Sequence, residues 1–243
     1  MRISDFPVLT FDTYGTLIDW ESGIWNALGP LRRRLDRPVD RDDALAAFAE
    51  AETAVQNARP ELRYSALLAV VHRDLAQRWA ARPDADEDRR FGGSVGDWPA
   101  FDDAAASLAY LKRRHRLVTL TNCDQASYRG SSERLGDPWD RILTAEEIGS
   151  WKPSTGNFEF LLERVRADFG IGPDGIVHVA QSLFHDHAPA KAMGLRTIWI
   201  DRRGGRDGGA TAPVAHTVEP DLRFDSMSGL VAAHRRELAG GKD

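Results

Sequence analysis

The sequence predicts an α/β fold: a Rossmann-like, doubly wound parallel sheet with a helical cap inserted after the first strand. Three observations lead there. From residue 98 onward, short apolar strands alternate with helical stretches, the pattern of βαβ units. A first apolar run, 7–12 (PVLTFD), stands apart from that series. The residues between them, 20–97, are mostly helical in texture. The division that follows is a core of 1–19 and 98–243 and a helical cap of 20–97.

Taken in order, 7–12 is a short buried strand. Residues 22–36 have helical periodicity, with Gly29-Pro30 placed to kink or break it. Residues 41–58 are rich in Ala and Glu, with Asp42 or Asp43 as the capping acid, and Pro60 ends that helix. Residues 64–81 form a second amphipathic helix, and the polar stretch RPDADEDRRFGGS reads as loop. A helix starts near Asp102, a buried strand covers 116–122, and RILTAEEIG is another short element. STGNFEFLLERVRADFG is helical. Strands at 175–182 and 196–202 flank the short helix HAPAKAMG, and 203–213 is a Gly-rich loop. No internal repeat at a fixed period is present.

Composition narrows the function classes. With 243 residues and 42% hydrophobic content the chain can bury a sizeable core. The net charge is −5 and the one basic cluster, Arg32-Arg33-Arg34, closes a helix, so no nucleic-acid partner is expected. Cys123 is the single cysteine, which excludes an internal disulfide and fits a buried structural thiol. No signal-peptide pattern and no apolar run approaching ~18 residues is present, so the expectation is a soluble cytoplasmic protein with no membrane partner.

In an open parallel sheet, ligands bind at the carboxyl ends of the strands. Those ends are polar here: Asp12 closes the first strand, Thr121-Asn122 the second, Lys152 follows the third in GSWKP, and Asp186 follows the fourth in QSLFHDH. The ordered set DTYGTLID, LTN, WKP and SLFHD resembles the four motifs of the haloacid dehalogenase superfamily. The resemblance implies a nucleophilic aspartate at Asp12, a motif-two hydroxyl at Thr121, a cation at Lys152 and an acid at Asp186. Elementary chemistry supports these roles. A positioned carboxylate can attack in line. A nearby Lys152 would keep Asp12 ionised and lower its pKa. Gly15 permits a turn whose backbone N–H groups can hold an anionic oxygen.

Most members of the superfamily are phosphatases with a second acid two residues after the nucleophile, where it protonates the leaving alkoxide. Here that position is Tyr14, whose reference pKa near 10 suits it poorly to the task at pH 7. Halide leaves as a stable anion and needs no acid. The Asp-x-Tyr-Gly-Thr-Leu pattern accordingly resembles the type II 2-haloacid dehalogenases. That implies cleavage of the carbon–halogen bond of a small 2-haloalkanoic acid through an ester on Asp12, giving a 2-hydroxy acid and halide. Asp186, helped by Lys152, would activate the hydrolytic water. Thr16, Thr121 and Asn122 would orient Asp12 or bind the substrate carboxylate, with Thr13 and Tyr14 as further contacts in the turn. Asp12 and Asp186 alone make a poor Mg²⁺ site, and His185-Asp186-His187 lacks zinc spacing, so no metal or other cofactor is expected.

The cap adds Glu52 and Gln56, four apart on one helix face, and Tyr64 as a polar lid, with Trp20 lining the pocket or packing the hinge. The chain departs from the type II pattern at Leu183, where an amide is usual, and at Phe158, where a tyrosine is usual. His185 is a candidate for orienting water. The type II resemblance also implies a cap arginine near the halogen, for which Arg59 and Arg63 are the candidates. The partner implied is a small carboxylate, and a homodimer is compatible with the resemblance. Two alternatives stay open: a related hydrolase acting on a C–N bond or a phosphate ester, and a non-catalytic binding member of the fold.

Overall fold

The computed structural model describes residues 1–204 and 218–240. Its centre is a six-stranded, all-parallel sheet in the order β3-β2-β1-β4-β5-β6. The strands are β1 (Val8–Phe11), β2 (Arg116–Thr121), β3 (Arg141–Thr144), β4 (Ile176–Ala180), β5 (Arg196–Ile200) and β6 (Leu222–Phe224). All four residues of β1 and all five of β4 are buried, as a strand covered on both faces requires. Successive side chains alternate between two apolar layers. Val8, Val118, Leu120 and Ile176 pack with Phe158, Leu161 and Val165. Leu9, Phe11, Leu117, Val177 and Val179 join the layer that also holds Phe48, Leu67 and Phe91.

The register fixes where the chemistry can sit. Phe11 lies beside both Thr119 and Val179, and the Asp12 amide donates to the Val179 carbonyl at 3.0 Å. The first strand therefore delivers Asp12 between its two neighbours. The strand order reverses at this point, the place where an open α/β sheet forms its crevice.

Between β1 and residue 98 lie α1 (Trp20–Ala27), α2 (Gly29–Arg32), α3 (Arg41–Ala58), α4 (Tyr64–Arg78) and α5 (Ala85–Gly92). The break at Gly29-Pro30 is present, with Pro30 in the first turn of α2. The cap of α3 is Asp40, which accepts from the Asp43 amide at 2.9 Å, rather than Asp42 or Asp43. The stretch read as loop contains α5. Asp84 caps it by accepting from the Asp86 and Glu87 amides, and Phe91 anchors it in the core. Phe91 is the one large apolar residue of this strongly charged helix, so no apolar run marks it in the sequence.

The remaining helices are α6 (Ala104–Leu111), α7 (Gln125–Arg134), α8 (Ala145–Ile148), α9 (Thr155–Phe169), α10 (Ala188–Ala192) and α11 (Met227–Gly240). α7, β6 and α11 add to the elements read from the sequence. The Gly-rich loop expected at 203–213 lies almost entirely outside the described residues. Among the described residues, no helix is long and apolar enough to cross a membrane.

Candidate active site

Asp12 leaves β1 into a tight turn. Gly15 takes φ +88°, and its amide donates to the Ile18 carbonyl at 2.8 Å. A Cβ on Gly15 would come within 3.2 Å of Gln181 Oε1 and 3.3 Å of Trp20 Nε1. Glycine thus answers both a left-handed backbone and a crowded wall. The Gly15 N–H is committed within the turn. It is the Thr16 hydroxyl that holds Asp12, donating to Oδ2 at 2.6 Å while accepting from the Gln181 amide at 2.9 Å.

Lys152 sits below the other oxygen. Its Nζ is 2.8 Å from Asp12 Oδ1, 2.6 Å from Asp186 Oδ1 and 3.0 Å from the Leu120 carbonyl. Lys152 is 2% exposed, Asp12 6% and Asp186 1%. His178 Nε2 lies 3.0 Å from Asp186 Oδ1, and its Nδ1 lies 2.8 Å from the Thr10 hydroxyl. Phe158 meets the His178 ring edge-on, with centroids 5.2 Å apart. Asp186 itself lies in a single π-helical turn, Leu183–His187, started by Ser182, whose Oγ accepts from the His185 amide at 3.0 Å. Such a turn re-aims side chains locally.

One ammonium shared by two carboxylates drives their acidities apart. Burial raises the Asp12 carboxyl, and Asp186 adds to that, against the opposing pull of Lys152 and Thr16. The lowered value expected from Lys152 alone is thereby reversed. Burial would raise Asp186 too, but Lys152 and His178 outweigh it and hold that carboxyl well below its usual range. Lys152 is raised: burial works against its charge, and the two aspartates overcome it. Asp12 is thus the more basic carboxylate, and Asp186 the permanent counter-charge.

The cavity above this cluster is lined by Tyr14, Trp20, Glu52, Gln56, Tyr64, Asn122, Trp151, Gln181, Ser182 and His185, together with Asp12, Lys152 and Asp186. Glu52 accepts from the Tyr64 hydroxyl at 2.7 Å, and burial pushes the Glu52 carboxyl up to about 7. The Tyr14 hydroxyl is turned towards Cys123 Sγ at 3.4 Å and Ser131 Oγ at 3.2 Å, and burial raises it well above the ordinary phenol value. Burial likewise pushes the Cys123 thiol up to about 12. His185 is lowered by burial, so its imidazole is neutral at pH 7.

Several expected contacts lie elsewhere. Thr13 does not line the cavity: it is buried and meets Thr119 Oγ1 at 3.0 Å. Thr121 is buried with an unpartnered hydroxyl and does not line the cavity. Phe158 backs His178 from the apolar layer, and Leu183 sits on the π-turn outside the cavity wall. Neither Arg59 nor Arg63 lines the cavity, and Arg63 is paired with Glu146 at 2.9 Å.

Asn122 does line the cavity, but both ends of its amide grip the chain: Oδ1 accepts from the Lys152 amide at 2.7 Å, and Nδ2 donates to the Lys152 carbonyl at 2.9 Å. It is a positioning residue for Lys152. Asn122→Ala is expected to lower kcat by roughly 10–100-fold with a smaller change in KM, as measured in steady-state kinetics. Residues that sequence reasoning missed are His178, Thr10, Trp151, Gln181 and Ser182. A histidine within an apolar strand, at His178 in IVHVA, was the available signal.

No family model matches the chain. A phosphoserine phosphatase from Thermus thermophilus is 27% identical over 139 residues, 56% of this chain and 51% of that protein. The chain thus spans about half the length of the curated relative it matches. The L-2-haloacid dehalogenase from Xanthobacter autotrophicus superposes with TM-score 0.77 at 15% identity, covering 98% of this chain and 100% of that one. A putative HAD-hydrolase from Bacillus subtilis bound to magnesium gives TM-score 0.75 at 16% identity, covering 97% and 100%. Sheet order and these superpositions agree: the chain has the α/β fold of these solved structures, a parallel sheet with flanking helices.

Proposed function

We propose that this protein is a hydrolase of the 2-haloacid dehalogenase type, in which Asp12 displaces halide from carbon. The observation that carries the reading is the direction of Tyr14. Its hydroxyl faces Cys123 and Ser131, and burial makes it a still weaker acid, so no proton donor of useful strength stands two residues beyond the nucleophile. A halide leaving group needs none.

In the first step an Asp12 oxygen bonds to the substrate carbon, and the carbon–halogen bond breaks with its electron pair going to the halide. In the second, water adds to the Asp12 ester carbonyl, and the acyl–oxygen bond breaks. The water proton passes to a base at the cavity wall and from there to the departing alkoxide. The sum is R–X plus water giving R–OH, halide and a proton. Asp186 was the base expected from sequence, but its ion pair leaves it weak. Neutral His185, which also lines the cavity, is the stronger acceptor. Lys152 stabilises the charge that builds on the Asp12 carbonyl oxygen during attack by water.

A structure in the same fold that carries chloropropionic acid covalently bound, again from the Xanthobacter autotrophicus enzyme, supports this reading at the level of the fold (TM-score 0.76, 15% identity, covering 98% of this chain and 100% of that one). A phosphatase reading is favoured by the Thermus thermophilus relative and by the magnesium of the Bacillus subtilis structure. The donor set here does not fit that ion. The facing oxygens of Asp12 and Asp186 both point at one ammonium, and among the described residues no group of three or more His, Cys, Asp and Glu is placed to hold a metal. Chloride release from a panel of small aliphatic chlorides headed by 2-chloropropionate, run beside phosphate release from phosphoserine, separates the two. Chloride release unchanged by EDTA is expected. EDTA-sensitive phosphate release without chloride release would overturn the reading.

A further inference from the structure

Among the described lining residues, no cationic side chain is free to bind an anionic substrate group. The Lys152 ammonium has three N–H donors, and all three are used: Asp12 Oδ1, Asp186 Oδ1 and the Leu120 carbonyl. Among the described lining residues there is no arginine and no second lysine. Three carboxyl groups, Asp12, Asp186 and Glu52, face one ammonium. That balance of carboxyl groups over ammonium favours a cation in the cavity.

The helical segment supplies the rest of a cation site. Glu52, from α3, has the Tyr64 hydroxyl as its hydrogen-bond partner, and among the described residues no cation is paired with it. Burial raises its carboxyl, and among the described residues no counter-charge offsets that. Aromatic rings line the same cavity. Tyr64 and Trp151 stand with centroids 6.1 Å apart at 51°, and Trp20 and Tyr14 line the same cavity. Trp151 is fixed by donating from Nε1 to the Pro60 carbonyl at 3.0 Å. A cavity lined by both aromatic rings and a carboxyl group can attract an organic ammonium by ring quadrupole and by charge.

We propose that the Glu52–Tyr64–Trp151 side of the cavity is a binding site for an ammonium group carried by the substrate. The inference rests on reading this cavity as the active site and narrows its substrate class. A carboxylate on the substrate is accompanied by an ammonium, as in a zwitterionic chloroalkyl amino acid, or is replaced by one. The site takes the non-reacting end of the molecule and leaves the halogen-bearing carbon for Asp12.

Choline and 3,3-dimethyl-1-butanol have the same shape and differ in charge. Their binding to the intact protein and to Glu52→Gln is measured by titration calorimetry, without turnover. Choline is expected to bind the intact protein about tenfold or more tighter than the neutral alcohol, and the preference to vanish in Glu52→Gln. Trp151→Leu, with its fold checked by circular dichroism, is expected to weaken choline by several-fold while leaving the alcohol less affected. Equal binding of the two ligands to the intact protein, no choline binding at millimolar concentration, or a preference that survives in Glu52→Gln overturns the proposal. Chloride release from (2-chloroethyl)trimethylammonium gives a separate readout. Choline binding that depends on Glu52, with no chloride released from any substrate, would keep the ammonium site and refute the dehalogenase reading.

Discussion

Asp12→Asn is expected to reduce turnover to the uncatalysed background, a loss on the order of 10⁵–10⁶. The reason is specific to the environment. Asp12 is the carboxylate of the pair that ends up more basic, because burial outweighs Lys152 there, while Asp186 is held as a weak base by Lys152 and His178. Basicity and nucleophilicity rise together, so no second group in the cluster replaces Asp12 in attack. Asparagine keeps the shape: its amide oxygen can accept from Lys152, and its amide nitrogen can donate to the Thr16 hydroxyl, so the fold should persist. Chloride release and a thermal unfolding curve measured on the same preparation check both halves. Retained turnover with an intact fold would move the nucleophile elsewhere.

Lys152→Met should affect stability as well as rate. Removing the ammonium leaves Asp12 and Asp186 buried and facing each other without a counter-ion, at a cost of about 3–5 kcal/mol at pH 7. The sign with pH follows from proton binding. In the variant, repulsion raises the carboxyl that protonates first, so the folded state binds more protons than the unfolded chain and stability falls as pH rises. The deficit relative to the parent should therefore shrink on acidification, as a shared proton takes the place of the ammonium. Turnover should fall by about 10²–10³ or more, since the group that stabilises charge on the ester oxygen is gone. Denaturant unfolding at several pH values tests the first statement and single-turnover kinetics the second. A deficit that does not depend on pH would show that the two carboxylates are not coupled through Lys152.

The sheet and its polar strand ends were legible because they are local signals. β1, β2, β4 and β5 are short, apolar and β-branched, and each ends near a polar residue at the same edge. Asp12, Lys152 and Asp186 lie at or beyond strand ends, the motif resemblance singled them out, and the structure brings both aspartates within hydrogen-bond reach of Lys152. What stayed hidden depends on which way a side chain points. Thr13 and Asp12 are neighbours in sequence, yet of the two only Asp12 lines the cavity. Asn122 reads as a ligand contact, yet its amide is spent on the Lys152 backbone. His178 looks like a packing residue in a strand, and only the pairing of β4 with β1 puts it between Thr10 and Asp186. α5 was missed because Phe91 is its one large apolar residue, so no apolar run marks it.

The covalent role of Asp12 is tested most directly by isotope. A single turnover of a chloride substrate in ¹⁸O-water, with protein in excess, is followed by digestion and mass spectrometry of the peptide containing Asp12. Attack of water on an Asp12 ester carbonyl leaves one solvent oxygen in that side chain, so a two-dalton shift confined to the Asp12 peptide is the predicted result. Release of halide with an unlabelled Asp12 and the solvent oxygen found only in the product alcohol would mean that water attacks the substrate carbon directly, and would contradict the account.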